Sequence, residues 1–150
     1  HLPLAGEEGP GEAVKLEHVA LLVADPPAMA RWYAEHLGMH VVKRSDEAPG
    51  FARFLADAEG SSVLETYASN VHPVPDYRAM DPALLHVAFT TGEIEGTRDR
   101  LIAAGATPVG EITENAAGDR FAMLRDPWGL ALQLADRARP LAGRAQEESK

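Results

Sequence analysis

Two histidines, a glutamate and a glutamine recur in this chain at one spacing: His18 and His86 are 68 positions apart, and so are Glu65 and Gln133. The histidines also share a local pattern of apolar residue, variable residue, His, Val and Ala. It is written "LEHVALLV" from Leu16 and "LLHVAFTT" from Leu84. Side chains alternate across a strand, so neighbours two apart share a face. Gln133 then lies between Ala131 and Ala135, Glu65 lies with Val63 and Tyr67, and His86 lies with Leu84 and Ala88. Four polar groups project from otherwise apolar faces, where an unpaired carboxylate is costly unless a proton, a donor or a cation compensates it. A divalent ion does so directly. Neutral imidazole and carboxylate oxygen bind such ions at about 2.0 to 2.2 Å, and an amide oxygen adds a weaker bond. A single histidine in such a strand reads most plainly as a packed core ring. Four groups in matched register read as one metal held by His18, Glu65 and His86, with Gln133 as a weaker fourth ligand and one or two positions open to substrate.

Strands and helices must position these groups, and the chain writes a strand, a helix and three strands, then repeats the set. The first strand is expected over Leu16 to Val23. Asp25 caps a helix that opens on Pro26 and Pro27, carries an apolar stripe of Met29, Trp32, Tyr33 and Leu37, and ends at Gly38. Strands follow near Met39 to Arg44, Phe51 to Asp57 and Ser62 to Ala68. The second copy opens at Leu84 to Thr90, with a helix from about Gly92 to Ala104 that Gly96 weakens by roughly 1 kcal/mol relative to Ala. Strands near Thr107 to Ile112, Phe121 to Arg125 and Leu130 to Ala135 complete it, the last two joined by a "DPWG" turn. The expected class is α+β, two tandem βαβββ modules forming a cupped mixed sheet with helices outside. The modules span 15–68 and 84–136, with a Pro- and Asp-rich linker loop over 69–83. A disordered tail over 1–14 and a second over 137–150 flank them. Two copies of one unit imply a pseudo-twofold arrangement about a shared concavity.

Bulk composition narrows the function. At 150 residues and 45% hydrophobic the chain can bury a core. Its net charge of -9 offers no basic face to neutralise phosphates, so neither nucleic acid nor an anionic membrane is expected as a partner. No cysteine is present, which excludes a disulfide framework, a thiolate metal site and a cysteine nucleophile. The longest apolar run cannot span a bilayer and the opening residues lack signal-peptide form, so a cytoplasmic location is expected. The chain opens on His1 rather than Met, which leaves room for a segment upstream.

The stretches "LEHVALLVADPPAMARWYAEHLGM", "VLETY", "LLHVAFTT" and "FAMLRDPWGLALQL" resemble the vicinal oxygen chelate superfamily. That superfamily groups glyoxalase I, extradiol dioxygenases, fosfomycin- and bleomycin-resistance proteins and methylmalonyl-CoA epimerase. The resemblance covers residues 16 to 136 and implies paired βαβββ modules, a divalent metal (Zn, Ni, Co, Mn or Fe), a small-molecule substrate and a homodimer. His18, Glu65, His86 and Gln133 fall where glyoxalase I carries its ligands. Several positions depart from that enzyme. Gln133 replaces a glutamate with an amide that cannot serve as a base. Leu22 and Ser69 stand where bacterial glyoxalase I has an Arg and an Asn that grip glutathione, so the resemblance does not extend to a glutathione handle.

The resemblance implies a metalloenzyme acting on a substrate with two neighbouring oxygens. Its metal would be a Lewis acid for developing negative charge, and Glu65, the one carboxylate in the set, would move the proton. This is a glyoxalase-like lyase or isomerase. The set His18, His86 and Glu65 is also the rotated image of a 2-His-1-carboxylate iron triad, so a ring-cleaving dioxygenase is the alternative. A metal-free drug- or metabolite-binding protein, as in bleomycin resistance, is the third reading. Tyr67, Arg53 and Arg120 are expected to contact substrate, although strand arginines are more often paired on a rim. Trp32 and Tyr33 read as core and Trp128 as an exposed or interface turn residue. His72 and Tyr77 read as part of a bare connection rather than a lid, and His36 and His40 carry no assigned chemistry.

Overall fold

A computed structural model describes residues 11–141, so the terminal parts of both expected tails lie outside the described residues. Two compact units divide between Val74 and Pro75. The first contains β1 (Val19–Leu22), α1 (Pro26–Leu37), β2 (His40–Arg44), β3 (Arg53–Ala56) and β4 (Val63–Tyr67). The second contains β5 (Val87–Thr90), α2 (Ile94–Ala103), β6 (Thr107–Glu114), β7 (Arg120–Arg125) and β8 (Ala131–Asp136), preceded by a short 3-10 helix at Tyr77–Ala79. The two βαβββ modules read from the sequence are therefore present. Each forms a four-stranded mixed sheet, ordered β1-β4-β3-β2 in one and β5-β8-β7-β6 in the other.

Local chemistry sets the helix limits. Asp25 accepts a hydrogen bond from the Ala28 backbone N–H, Pro26 and Pro27 occupy the first two positions, and Gly38 closes α1 in the left-handed conformation at φ 70°. The apolar stripe then meets the sheet: α1 packs on β2, β3 and β4. Tyr33, Met29, Leu21 and Leu55 are buried together with Trp32, as the stripe required. In the second unit α2 packs on β7 and β8. Ile94, Leu101, Leu124, Leu132 and Leu134 are almost wholly excluded from solvent there. Each such side chain contributes roughly 1.5 to 3 kcal/mol of transfer free energy.

Both ladders run in the same register. Ala20 on β1 lies beside Glu65 on β4, which lies beside Phe54 on β3. Ala88 on β5 lies beside Gln133 on β8, which lies beside Met123 on β7. Glu65 and Gln133 thus occupy the same place in the two sheets. In each, the next row along belongs to the other face, the one that receives the helix.

The chain after β8 is tied down rather than free at its start. Asp119, in the β6–β7 hairpin, accepts from the Ala138 backbone N–H at 2.9 Å and from Arg137 at 3.4 Å. Asn115 holds that hairpin by accepting from Asp119 and Ala117. The Ala138 bond, then the Asn115 amide, and Arg137 beyond it, hold the Asp119 carboxyl below its ordinary value. A carboxyl depressed in the folded state stabilises fully above the ordinary range near about pH 4 and loses that contribution as pH falls through the lowered value. Thermal unfolding followed from pH 7 to pH 3 is therefore expected to show a shallower acid loss in Asp119→Asn than in the wild type. Identical slopes would show that this carboxylate does not report the hairpin's attachment.

Candidate functional site

His18 and His86 each stand one residue ahead of a strand, where the sequence placed them inside it. Pairing with β4 and β8 begins only at Val19 and Val87. Each ring is held by its own surroundings rather than by a ladder.

In the first unit, His18 and Glu65 meet. His18 Nε2 is 3.3 Å from Glu65 Oε1, with the side chains 31% and 20% exposed. The other ring nitrogen, Nδ1, is 2.8 Å from Glu17 Oε1. The edge of the His18 ring also meets Phe54 in a T-shaped contact, with centroids 5.2 Å apart. Phe54 shares its row with Glu65, so imidazole, carboxylate and aromatic ring occupy one face. A carboxylate accepts only, so the bond to Glu17 puts the proton on Nδ1. Nε2 is then a bare lone pair directed at a carboxylate oxygen. Two like electron-rich atoms at that distance require something positive between or upon them. Two donors bound at about 2.1 Å to one ion, at roughly 90° to 110°, stand about 3.0 to 3.4 Å apart. The His18–Glu65 pair falls within that range.

In the second unit, His86 Nδ1 is 2.8 Å from the Pro82 carbonyl oxygen. A carbonyl likewise only accepts, so Nδ1 bears the proton and Nε2 keeps its lone pair. The carbonyl is presented by a turn in which Leu84 N–H bonds to the Asp81 carbonyl and Ala83 N–H to its carboxylate. Gln133 lies opposite Ala88, two residues beyond His86, just as Glu65 lies opposite Ala20, two residues beyond His18. Each unit thus carries two of the four expected donors. Within neither unit do three His, Asp or Glu groups gather as a metal-holding cluster among the described residues.

The other expected residues separate. Tyr67 lies opposite Leu22, on the Glu65 face. Arg53 lies on the opposite face, in the row of Thr66 and Leu21. It is buried, and its guanidinium donates to the Ser45, Phe51 and Ala52 carbonyls and to Asp46. It holds the β2–β3 loop. Arg120 also lies on the helix side of its sheet, ion-paired with Glu95 of α2 and with Glu114. That pairing holds the Glu95 carboxyl low and raises the guanidinium further. Neither arginine joins the His18–Glu65 pair. Two contributors were missed in the sequence, Glu17 and the Pro82 carbonyl. The only signal available was the acidic residue directly before His18.

The family model described as Glyoxalase/Bleomycin resistance protein/Dioxygenase superfamily matches residues 15–134. The uncharacterized protein YwkD of Bacillus subtilis (strain 168) is 27% identical over 120 residues, which is 79% of this chain and 94% of that protein. Among solved structures, a glyoxalase family protein from Bacillus cereus superposes with a TM-score of 0.70 at 19% identity, covering 85% of this chain and 96% of that one. At that identity the likeness concerns the fold. A glyoxalase family protein from Enterococcus faecalis superposes with a TM-score of 0.63 at 26% identity, covering 81% and 97%.

Proposed function

The chain belongs to the glyoxalase/bleomycin resistance protein/dioxygenase superfamily, and from that premise we propose that it is a metal-dependent, glyoxalase-like lyase or isomerase acting on a small substrate with two neighbouring oxygens. The observation that carries this reading is the bare Nε2 of His18 set 3.3 Å from Glu65 Oε1. The expected ligands are His18, Glu65, His86 and, more weakly, Gln133. Two imidazoles, a carboxylate and an amide with no thiolate suit Zn, Ni, Co, Mn or Fe. When bound, such an ion supplies Lewis-acid stabilisation of negative charge developing on the substrate oxygens.

The protein's own groups divide the remaining work. His18 and His86 present Nε2, their outer nitrogens being held by Glu17 and Pro82. Glu65 is the only carboxylate among the four and takes and returns the substrate proton. Gln133 cannot do so, because an amide has no accessible basic form. Tyr67 shares the Glu65 face and contacts the substrate there. Homodimerisation and a cytoplasmic setting are part of the same reading, and they rest on the family resemblance and on composition.

Metal content decides among the classes. Protein purified without chelator and without nickel affinity resin is expected to carry about one zinc, nickel, cobalt or manganese per chain, measured by mass spectrometry of the digested sample. Stoichiometric iron would assign the two-His, one-Glu set to ring-cleaving oxygen chemistry instead. Absence of any stoichiometric ion, before and after incubation with these metals, would leave a metabolite-binding protein.

A further inference from the structure

We infer that Glu17 is a positioning residue, fixing the protonation and orientation of His18 so that Nε2 faces Glu65; the inference rests on the metal-dependent reading above and adds a residue to it.

The two histidines occupy equivalent places, yet different groups hold their outer nitrogens. His18 Nδ1 donates to a carboxylate on the adjacent residue, and His86 Nδ1 donates to a backbone carbonyl four residues earlier. The position equivalent to Glu17 in the second unit is Leu85, which has no acceptor in its side chain. The two modules therefore reach one tautomer by different means, and in both cases the nitrogen left bare is Nε2. Convergence on that nitrogen is what a ligating histidine needs, because its other N–H is ordinarily fixed by an oxygen acceptor that orients the ring and raises its basicity. A solvated glutamate merely beside a ring would have no reason to select Nδ1. Glu17 is 84% exposed, so its place in the fold gives it no packing role. Phe54 limits the ring from the side through its edge contact. Ring tilt is thus set by Phe54 and ring protonation by Glu17.

Without Glu17 the proton is free to move to Nε2, where it would meet Glu65 and occupy the lone pair a metal requires. Metal binding would then have to displace it. Loss of an outer partner of this kind typically weakens metal affinity about 10- to 100-fold.

Long-range proton–nitrogen spectra of the metal-free protein at about pH 9, where histidine is ordinarily neutral, read each tautomer directly. His18 and His86 are both expected in the Nδ1–H form. Glu17→Ala should shift His18 toward Nε2–H and leave His86 unchanged, which also shows that the variant is folded. Glu17→Gln, whose amide oxygen still accepts, should keep the wild-type tautomer. Zinc titrations should then show a loss of about 10- to 100-fold for Glu17→Ala and recovery of most of it for Glu17→Gln. An Nε2–H His18 in the wild type, a tautomer indifferent to Glu17→Ala, or unchanged zinc affinity in that variant would each overturn the inference. If the wild type shows the Nδ1–H form and its Glu17 dependence but takes up no zinc, the metal reading fails while the control of His18 by Glu17 stands.

Discussion

His86→Ala is expected to abolish stoichiometric metal, with affinity falling by more than about 100-fold, whereas Gln133→Ala should weaken it by less than about tenfold. The first bound exceeds what an outer partner costs, because the donor atom itself is lost. The asymmetry comes from ligand chemistry. A neutral imidazole with its other nitrogen held by a carbonyl is a strong donor to borderline divalent ions, and a neutral amide oxygen is a weak one. His86 is prepared for that role by the 2.8 Å bond from Nδ1 to Pro82. Gln133 occupies the place of Glu65 in the repeat but brings no charge. Metal content of each purified variant, with zinc titration of the metal-free forms, reads the difference. Equal loss from both would contradict a site built on two histidines and one carboxylate, and no loss from His86→Ala would remove that histidine from it.

The features legible in the sequence are those decided locally. Asp25 and Gly38 end α1 where cap chemistry demanded, since each acts within one turn of itself. The repeat was legible too, because a spacing of 68 survives in both histidine strands and both closing strands. Strand ends were less so. His18 and His86 fall outside β1 and β5 because a strand lasts only as long as a partner runs beside it, and that partner lies more than forty residues away in the chain. The arginines show the same limit. Facing parity on β3 depends on its register with β4 and on the shift between Val41 and Lys43, neither of which the local sequence states. Arg53 therefore took a place under the helix instead of beside Glu65. The 69–83 segment was read as a bare connection, yet Tyr77 is buried in a 3-10 helix there. What anchors that helix is Arg125, 48 residues later, which donates to the Tyr77 and Met80 carbonyls.

That anchorage makes Gly129→Ala the most damaging single methyl group the second unit could receive. Gly129 has φ +95°, and a Cβ there would sit 2.8 Å from Arg78 Cβ, 3.0 Å from its backbone nitrogen and 3.1 Å from its Cα. Two of those atoms are main chain, and the main chain cannot easily retreat. Arg125 bridges the Tyr77 and Gly129 carbonyls at 3.0 and 3.1 Å, and Arg78 reaches across to the Pro127 carbonyl at 3.0 Å. The turn is fixed from its other side as well, since the buried Asp126 accepts from the Trp128 and Leu130 backbone N–H groups. A non-glycine residue held at positive φ costs about 1 to 2 kcal/mol, and displacing the 3-10 helix brings the total to roughly 3 kcal/mol. For a chain of this size that lowers the midpoint of thermal unfolding by about 6 to 12 °C. Gly110→Ala is the comparison, because Gly110 also has positive φ, at +75°, but meets nothing within 4 Å. It should lose only the conformational part, about 1 kcal/mol. Circular dichroism melts of the two variants separate the terms. If Gly129→Ala costs no more than Gly110→Ala, the contact with Arg78 does not set the turn. If it costs more, the turn that delivers the chain into β8, four residues ahead of Gln133, depends on a backbone approach that only glycine allows.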